Sequence, residues 1–196
     1  MPQKISFAVV CSSNQNRSME THNILSKRGF KVRSFGSGNQ VKLPGPTFDK
    51  PNIYDFNTSY EEMYRDLMKK DNNLYTQNGM LHMLDRNRRI KTCPERFQGC
   101  QERFNVILTC EERVFDQVLE DLESREVPSD GSGVYAHIIN MDIIDNPEDA
   151  TIGAFLLYDL CTVLEDADDY ENDMDEILQE FETQCNRTIL HSVKYY

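Results

Sequence analysis

The chain of 196 residues has the size of one domain, and its formal charge of −12 leaves no basic stripe for bare nucleic acid. No signal-type segment and no long apolar run is present, so the expectation is a protein that is neither secreted nor membrane-spanning. The six cysteines form no CxxC pair and the four histidines show no ligand spacing with them, which predicts free thiols, no metal and no cofactor.

In chain order, Ile5–Val10 is a continuous apolar run, as in a parallel strand buried on both faces. Ser18–Arg28 reads as a helix closed by Gly29, and Lys31–Gly36 as a second strand. Residues 37–57 are rich in turn formers and too long for an ordinary connection between strand and helix. Tyr60, Met63, Tyr64, Leu67 and Met68 then recur at helical spacing, followed by a second apolar cluster at Leu74, Tyr75, Met80, Leu81, Met83 and Leu84.

Phe104–Thr109 is the third strand, and Glu111–Ser124 an amphipathic helix burying Val114, Val118 and Leu122. After a Ser- and Gly-rich loop, Val134–Met141 forms the fourth strand, ending at Asp142. Asn146 caps a helix with Pro147 at its first position, expected to bury Ile152, Phe155, Leu156, Leu160, Val163 and Leu164. Met174, Ile177, Leu178 and Phe181 define a last helix, and Thr188–Val193 a final edge strand. The pattern predicts an α/β fold: an open, mostly parallel sheet flanked by helices, as one domain over 1–196. Residues 37–100 form a cap-like insertion between strands 2 and 3.

The chemistry concentrates in Cys11-Ser12-Ser13-Asn14-Gln15-Asn16-Arg17-Ser18, at the first strand-to-helix turn. Backbone N–H groups of Ser12, Ser13, Asn14, Gln15 and Asn16 converge there with the positive end of the helix dipole, giving a phosphate-binding loop. The same field favours a thiolate on Cys11. Ser18 can donate to that thiolate, and Arg17 can fork two hydrogen bonds onto a tetrahedral oxyanion. Cys, five residues, Arg and Ser is the pattern of cysteine-dependent phosphatases. The plain alternative makes Cys11 a buried strand-end residue and Arg17 a helix surface residue, but such a strand end does not call for so many small polar side chains. A thiolate attacking a phosphate ester also needs a group that protonates the departing oxygen and later activates water. Asp142 and Asp145 are both candidates, following a strand whose end faces the same edge as Cys11.

Six stretches together resemble the family of phosphatases that act on the C-terminal domain of RNA polymerase II. They are Cys11–Ser18, Val41–Pro46, Tyr75–Gly79, Leu84–Asn87, Leu108–Val114 and Asp142–Asn146. That family is a distant relative of the low-molecular-weight tyrosine phosphatases and shares their fold and loop, including the position of Asn14. The resemblance implies a protein serine phosphatase working through a phosphocysteine intermediate. Its substrate would be the repeat Tyr-Ser-Pro-Thr-Ser-Pro-Ser, phosphorylated on the fifth-position serine with the following proline cis. On this chain it makes Cys11 the nucleophile, Arg17 the phosphate ligand, Ser18 the thiolate's support and Asp145 the general acid, with Asp142 its neighbour. Lys42, Pro44 and Met83 fall near the peptide groove. It also implies a nuclear location, a symplekin-type scaffold of the mRNA 3′-end machinery and help from a prolyl isomerase.

The segment Arg125–Gly133 is longer and richer in Ser and Gly than the family pattern, and Cys93 stands where no cysteine is expected. Three rival readings remain at this level: a catalytically idle protein that docks phosphopeptides, an arsenate reductase using Cys93 and Cys100 as a redox pair, and a general tyrosine phosphatase.

Overall fold

The computed structural model describes residues 4–196. Strand β1 (Ser6–Cys11) leads into helix α1 (Arg17–Lys27) and strand β2 (Lys31–Gly36). The rest of the sheet comes from β5 (Val106–Thr109), β6 (Tyr135–Met141) and β7 (Ile189–Tyr195). Their order is β2-β1-β5-β6-β7, parallel except for the final antiparallel pair, so β7 is an edge strand as expected.

Every residue of β1 is buried because helices cover both faces of the sheet. Phe7, Val9 and Cys11 point into a core shared with α5 (Pro147–Asp166) and α6 (Tyr170–Cys185). Ala8 and Val10 face the opposite core, with Phe35, Ile107 and the buried stripe of α4 (Glu112–Ser124). The side-chain period of two therefore sends Cys11 and Cys110, the residue after β5, to the same face.

The stretch between β2 and β5 builds its own cluster from Val41, Leu43, Tyr60, Met63, Leu67, Tyr75 and their neighbours, joined by Met19 of α1. Residues 37–57 are not simply a loop. They contain an antiparallel hairpin, β3 (Val41–Leu43) with β4 (Asn52–Tyr54), whose strands are too short to show alternation. Helix α2 (Tyr60–Gln77) opens on a capping box between Ser59 and Glu62. It breaks at Asp71, whose carboxylate caps the N–H of Leu74 and restarts the helix. Gly79, at φ +81, then turns the chain into α3 (Met80–Ile90). Met63, Met80 and Met83 are buried in this cluster, whereas Met68 faces outward.

Helix α5 corrects one expectation. Ile152, Phe155 and Val163 are exposed, and the buried residues are Ala150, Gly153, Ala154, Leu157, Leu160, Cys161 and Leu164. Small residues at helical spacing let α5 lie close against α1 and the loop after β6. Leu160 and Leu164 are buried as expected, whereas Ile152, Phe155 and Val163 do not mark the packed face. No helix of the described residues is long and apolar enough to cross a membrane.

Candidate functional site

The turn from β1 to α1 sits at the carboxyl edge of the sheet, where open parallel sheets hold their ligands. Cys11 is 3% exposed, and its Sγ lies 3.0 Å from the hydroxyl of Ser18. That hydroxyl also accepts from Asn14 Nδ2 at 2.9 Å, which leaves its proton free for a thiolate on Cys11. Asn14 takes φ +55, a left-handed conformation that Asn tolerates better than most residues; Asn16 does not need it, at φ −109. Asn14 Oδ1 in turn accepts from the backbone N–H of Glu95 at 3.0 Å.

Arg17 is held at one side of its guanidinium. Nη1 donates to Glu111 Oε2 and to the carbonyl of Ile143, each at 3.0 Å. Its Nε is buried without a hydrogen-bond partner, 3.7 Å from Asp145 Oδ1. A buried guanidinium donor left open beside a thiol is a place for an oxyanion. Burial works against the charge of Arg17, but Cys11, Asp145, Cys110 and Glu111 outweigh it and hold its pKa above the ordinary value. The Cys110 thiol behind the loop is pushed up by burial.

One cleft opens over this turn; Arg17 and Ser18 are buried beside it and are not among its lining residues. Cys11, Ser12, Ser13, Gln15 and Asn16 form its floor, with Asp145, Asn146 and Pro147 on one wall. Lys42, Leu43, Pro44, Met80 and Met83 form the other. The backbone N–H of Lys42 donates to Ser13 Oγ at 3.2 Å, tying the hairpin to the loop. Asp145 lines the cleft, whereas the Asp142 carboxylate accepts from Asn140 and does not. Neither Cys93 nor Cys100 reaches the cleft, and all six cysteines are free.

Sequence reasoning missed several residues around this cleft. Leu43, Met80, Asn146 and Pro147 line it, and Glu111 anchors Arg17. The signal for Glu111 was its place two residues after the end of β5 at Thr109. Gly36, expected at the strand ends that converge on the crevice, does lie against the loop: a Cβ there would stand 2.8 Å from the Ser12 carbonyl oxygen.

Fold and site define an α/β protein with a buried cysteine at its first strand-to-helix turn, beside a hairpin and two helices. The chain belongs to the Ssu72-like protein family, whose model matches residues 5–196. It is 65% identical over 195 residues to the RNA polymerase II C-terminal domain phosphatase SSU72 of Danio rerio, covering 100% of this chain and 99% of that one. Identity to the Homo sapiens protein of the same name is 64% over 189 residues, covering 96% of each. The fold also matches a crystal structure of D. melanogaster Ssu72 with Symplekin, bound to a cis peptidomimetic of the C-terminal domain phosphorylated at the fifth-position serine. There the TM-score is 0.94 at 54% identity, with both chains covered fully. The resemblance read from the six sequence stretches thus holds along the described chain.

Proposed function

We propose that this chain is a cysteine-dependent protein serine phosphatase acting on the phosphorylated heptad repeats of the RNA polymerase II C-terminal domain. The observation that carries the reading is that Cys11 and Asp145 line one cleft, with the buried, open Nε of Arg17 3.7 Å from the Asp145 carboxyl. The Cys11 thiolate attacks phosphorus, and the bond to the serine oxygen breaks as Asp145 protonates that oxygen. Loop N–H groups and Arg17 stabilise the charge on the transferring phosphoryl group. In the second half, Asp145 takes a proton from water, the water oxygen attacks phosphocysteine, and inorganic phosphate leaves with the thiolate restored.

The apolar wall of Leu43, Pro44, Met80 and Met83 suits the proline that follows the fifth-position serine. The D. melanogaster complex supports binding of that bond in the cis form and a symplekin-type partner. Uncatalysed exchange at such a bond takes tens of seconds or longer, so a prolyl isomerase would raise turnover on a mostly trans substrate. The activity belongs to transcription and mRNA 3′-end processing in the nucleus.

The test is phosphate release from a heptad peptide phosphorylated on the fifth-position serine. Release by wild type that is abolished by Cys11→Ser supports the proposal. No release from folded, reduced wild type, even on an aryl phosphate, would leave a phosphopeptide-docking protein in its place.

A further inference from the structure

The insertion between β2 and β5 does more than line the peptide side of the cleft. In a planar trans peptide the N–H of each residue points away from the preceding carbonyl, and no cis bond occurs among the described residues. Whatever draws a loop carbonyl outward therefore turns the next N–H inward, toward the oxyanion. The Ser12 carbonyl accepts from the Gly38 N–H at 2.9 Å. The Asn14 carbonyl accepts from the Tyr60 hydroxyl at 2.7 Å. The Gln15 carbonyl accepts from Asn87 Nδ2 at 2.8 Å and from Arg86 Nη2 at 2.9 Å.

The side-chain donors among these belong to α2 and α3. Tyr60 and Asn87 are both 0% exposed. Asn87 stands on the same helix as the apolar residues Met80, Leu81, Met83 and Leu84, where an amide costs free energy unless it is paired. Its Oδ1 is held by Arg86, which is itself ion-paired to Glu20 on α1. That leaves Nδ2 aimed at the loop.

We infer that Tyr60, Arg86 and Asn87 are positioning residues that set the peptide planes of the phosphate loop, so that the N–H groups of Gln15 and Asn16 face the oxyanion. They touch no reacting atom and act through the loop backbone. The inference rests on the reading of this loop as an oxyanion site. It explains why helices contributed by an insertion are tied to the catalytic turn as well as to the peptide groove.

Inhibition by vanadate, a tetrahedral and five-coordinate phosphate mimic, tests it in the full chain. Tyr60→Phe keeps the ring and removes one donor; Asn87→Leu keeps the volume and removes another. Each should weaken vanadate inhibition about tenfold, the loss of one well-placed hydrogen bond to the loop. Arg86→Gln should do the same and Arg86→Lys should recover part of it. Arg88→Gln, on the same helix but paired to Asp85 and Glu61 away from the loop, should leave inhibition unchanged. Unchanged vanadate inhibition in folded Tyr60→Phe and Asn87→Leu overturns the positioning role, as does an equal loss in Arg88→Gln. If wild type itself resists vanadate, the oxyanion reading fails and takes this inference with it.

Discussion

Asn16 Nδ2 donates to Asp145 Oδ1 at 2.9 Å, tying the loop that carries the candidate nucleophile to the loop that carries the candidate acid. Because that oxygen is occupied as an acceptor, an Asp145 that served as the acid would carry its proton on Oδ2. Asp142, three residues earlier, turns to Asn140 instead.

Replacing Asp145 by Asn keeps an acceptor for Asn16 and removes the proton. Turnover of a serine phosphopeptide should then fall by roughly 10²- to 10⁴-fold, the usual worth of general acid–base catalysis. The first step on an aryl phosphate should suffer far less, since a phenolate departs with little help. Asp142→Asn should change neither rate substantially. Steady-state kinetics on both substrates decides it: an equal loss in the two variants would move the acid assignment.

Gly36 is constrained by close approach. Its absent Cβ would meet the Ser12 carbonyl oxygen at 2.8 Å, Phe56 Cζ at 3.0 Å and the Asn14 nitrogen at 3.1 Å. Two of those neighbours are loop backbone and cannot swing aside. Gly36→Ala should therefore cost about 1–3 kcal/mol of stability, as overpacking does, and also weaken vanadate inhibition. Urea unfolding measured beside inhibition separates the two effects. A variant with wild-type values in both would show that the loop yields freely.

What could be read from sequence follows from how local each signal is. The apolar run of β1, the polar turn after it and the cap at Asn146 and Pro147 are encoded within a few residues, and each appears as expected. The hairpin of β3 and β4 was invisible, because three-residue strands carry no period. The packed face of α5 was misjudged because its contacts run through Ala150, Gly153 and Ala154, while Ile152 and Phe155 stay outside. In the site, Cys11 and Arg17 stand on a fixed spacing. Tyr60 and Asn87 reach the same loop from 46 and 72 residues away, a closeness only the tertiary fold creates.

His22 makes stability depend on pH. Burial, with Lys91 and Arg33 nearby, lowers its pKa from 6.5 to about 4, while Glu95 partly opposes the shift. Its Nδ1 lies 2.7 Å from Ser34 Oγ. Between these two values the unfolded chain binds a proton that the folded chain refuses. The contribution is therefore complete above pH 6.5 and is lost as pH falls toward 4. The ceiling is about 3 kcal/mol from the size of the shift, reduced by the ring's partial exposure. Urea unfolding at pH 7 and pH 5 should show wild type losing more stability than His22→Gln on acidification. Parallel losses in the two proteins would refute it.

Gly153 packs behind the loop that carries Asp145 without lining the cleft. A Cβ on it would meet three side-chain atoms of Ile143, at 2.5, 2.7 and 3.1 Å, so that side chain would have to shift. Ile143 is 3% exposed, its N–H donates to the Cys110 carbonyl at 2.9 Å, and its own carbonyl receives Arg17 Nη1 at 3.0 Å. Displacing it shifts one anchor of Arg17 and, two residues on, Asp145. Gly153→Ala should raise helix propensity by up to about 1 kcal/mol yet lower turnover, because misplacement of about 1 Å at a reacting group can cost 10²-fold. The expected signature is a well-folded enzyme whose kcat on the serine phosphopeptide drops more than its kcat on an aryl phosphate. Wild-type turnover on both substrates would mean that Ile143 repacks without carrying its backbone along.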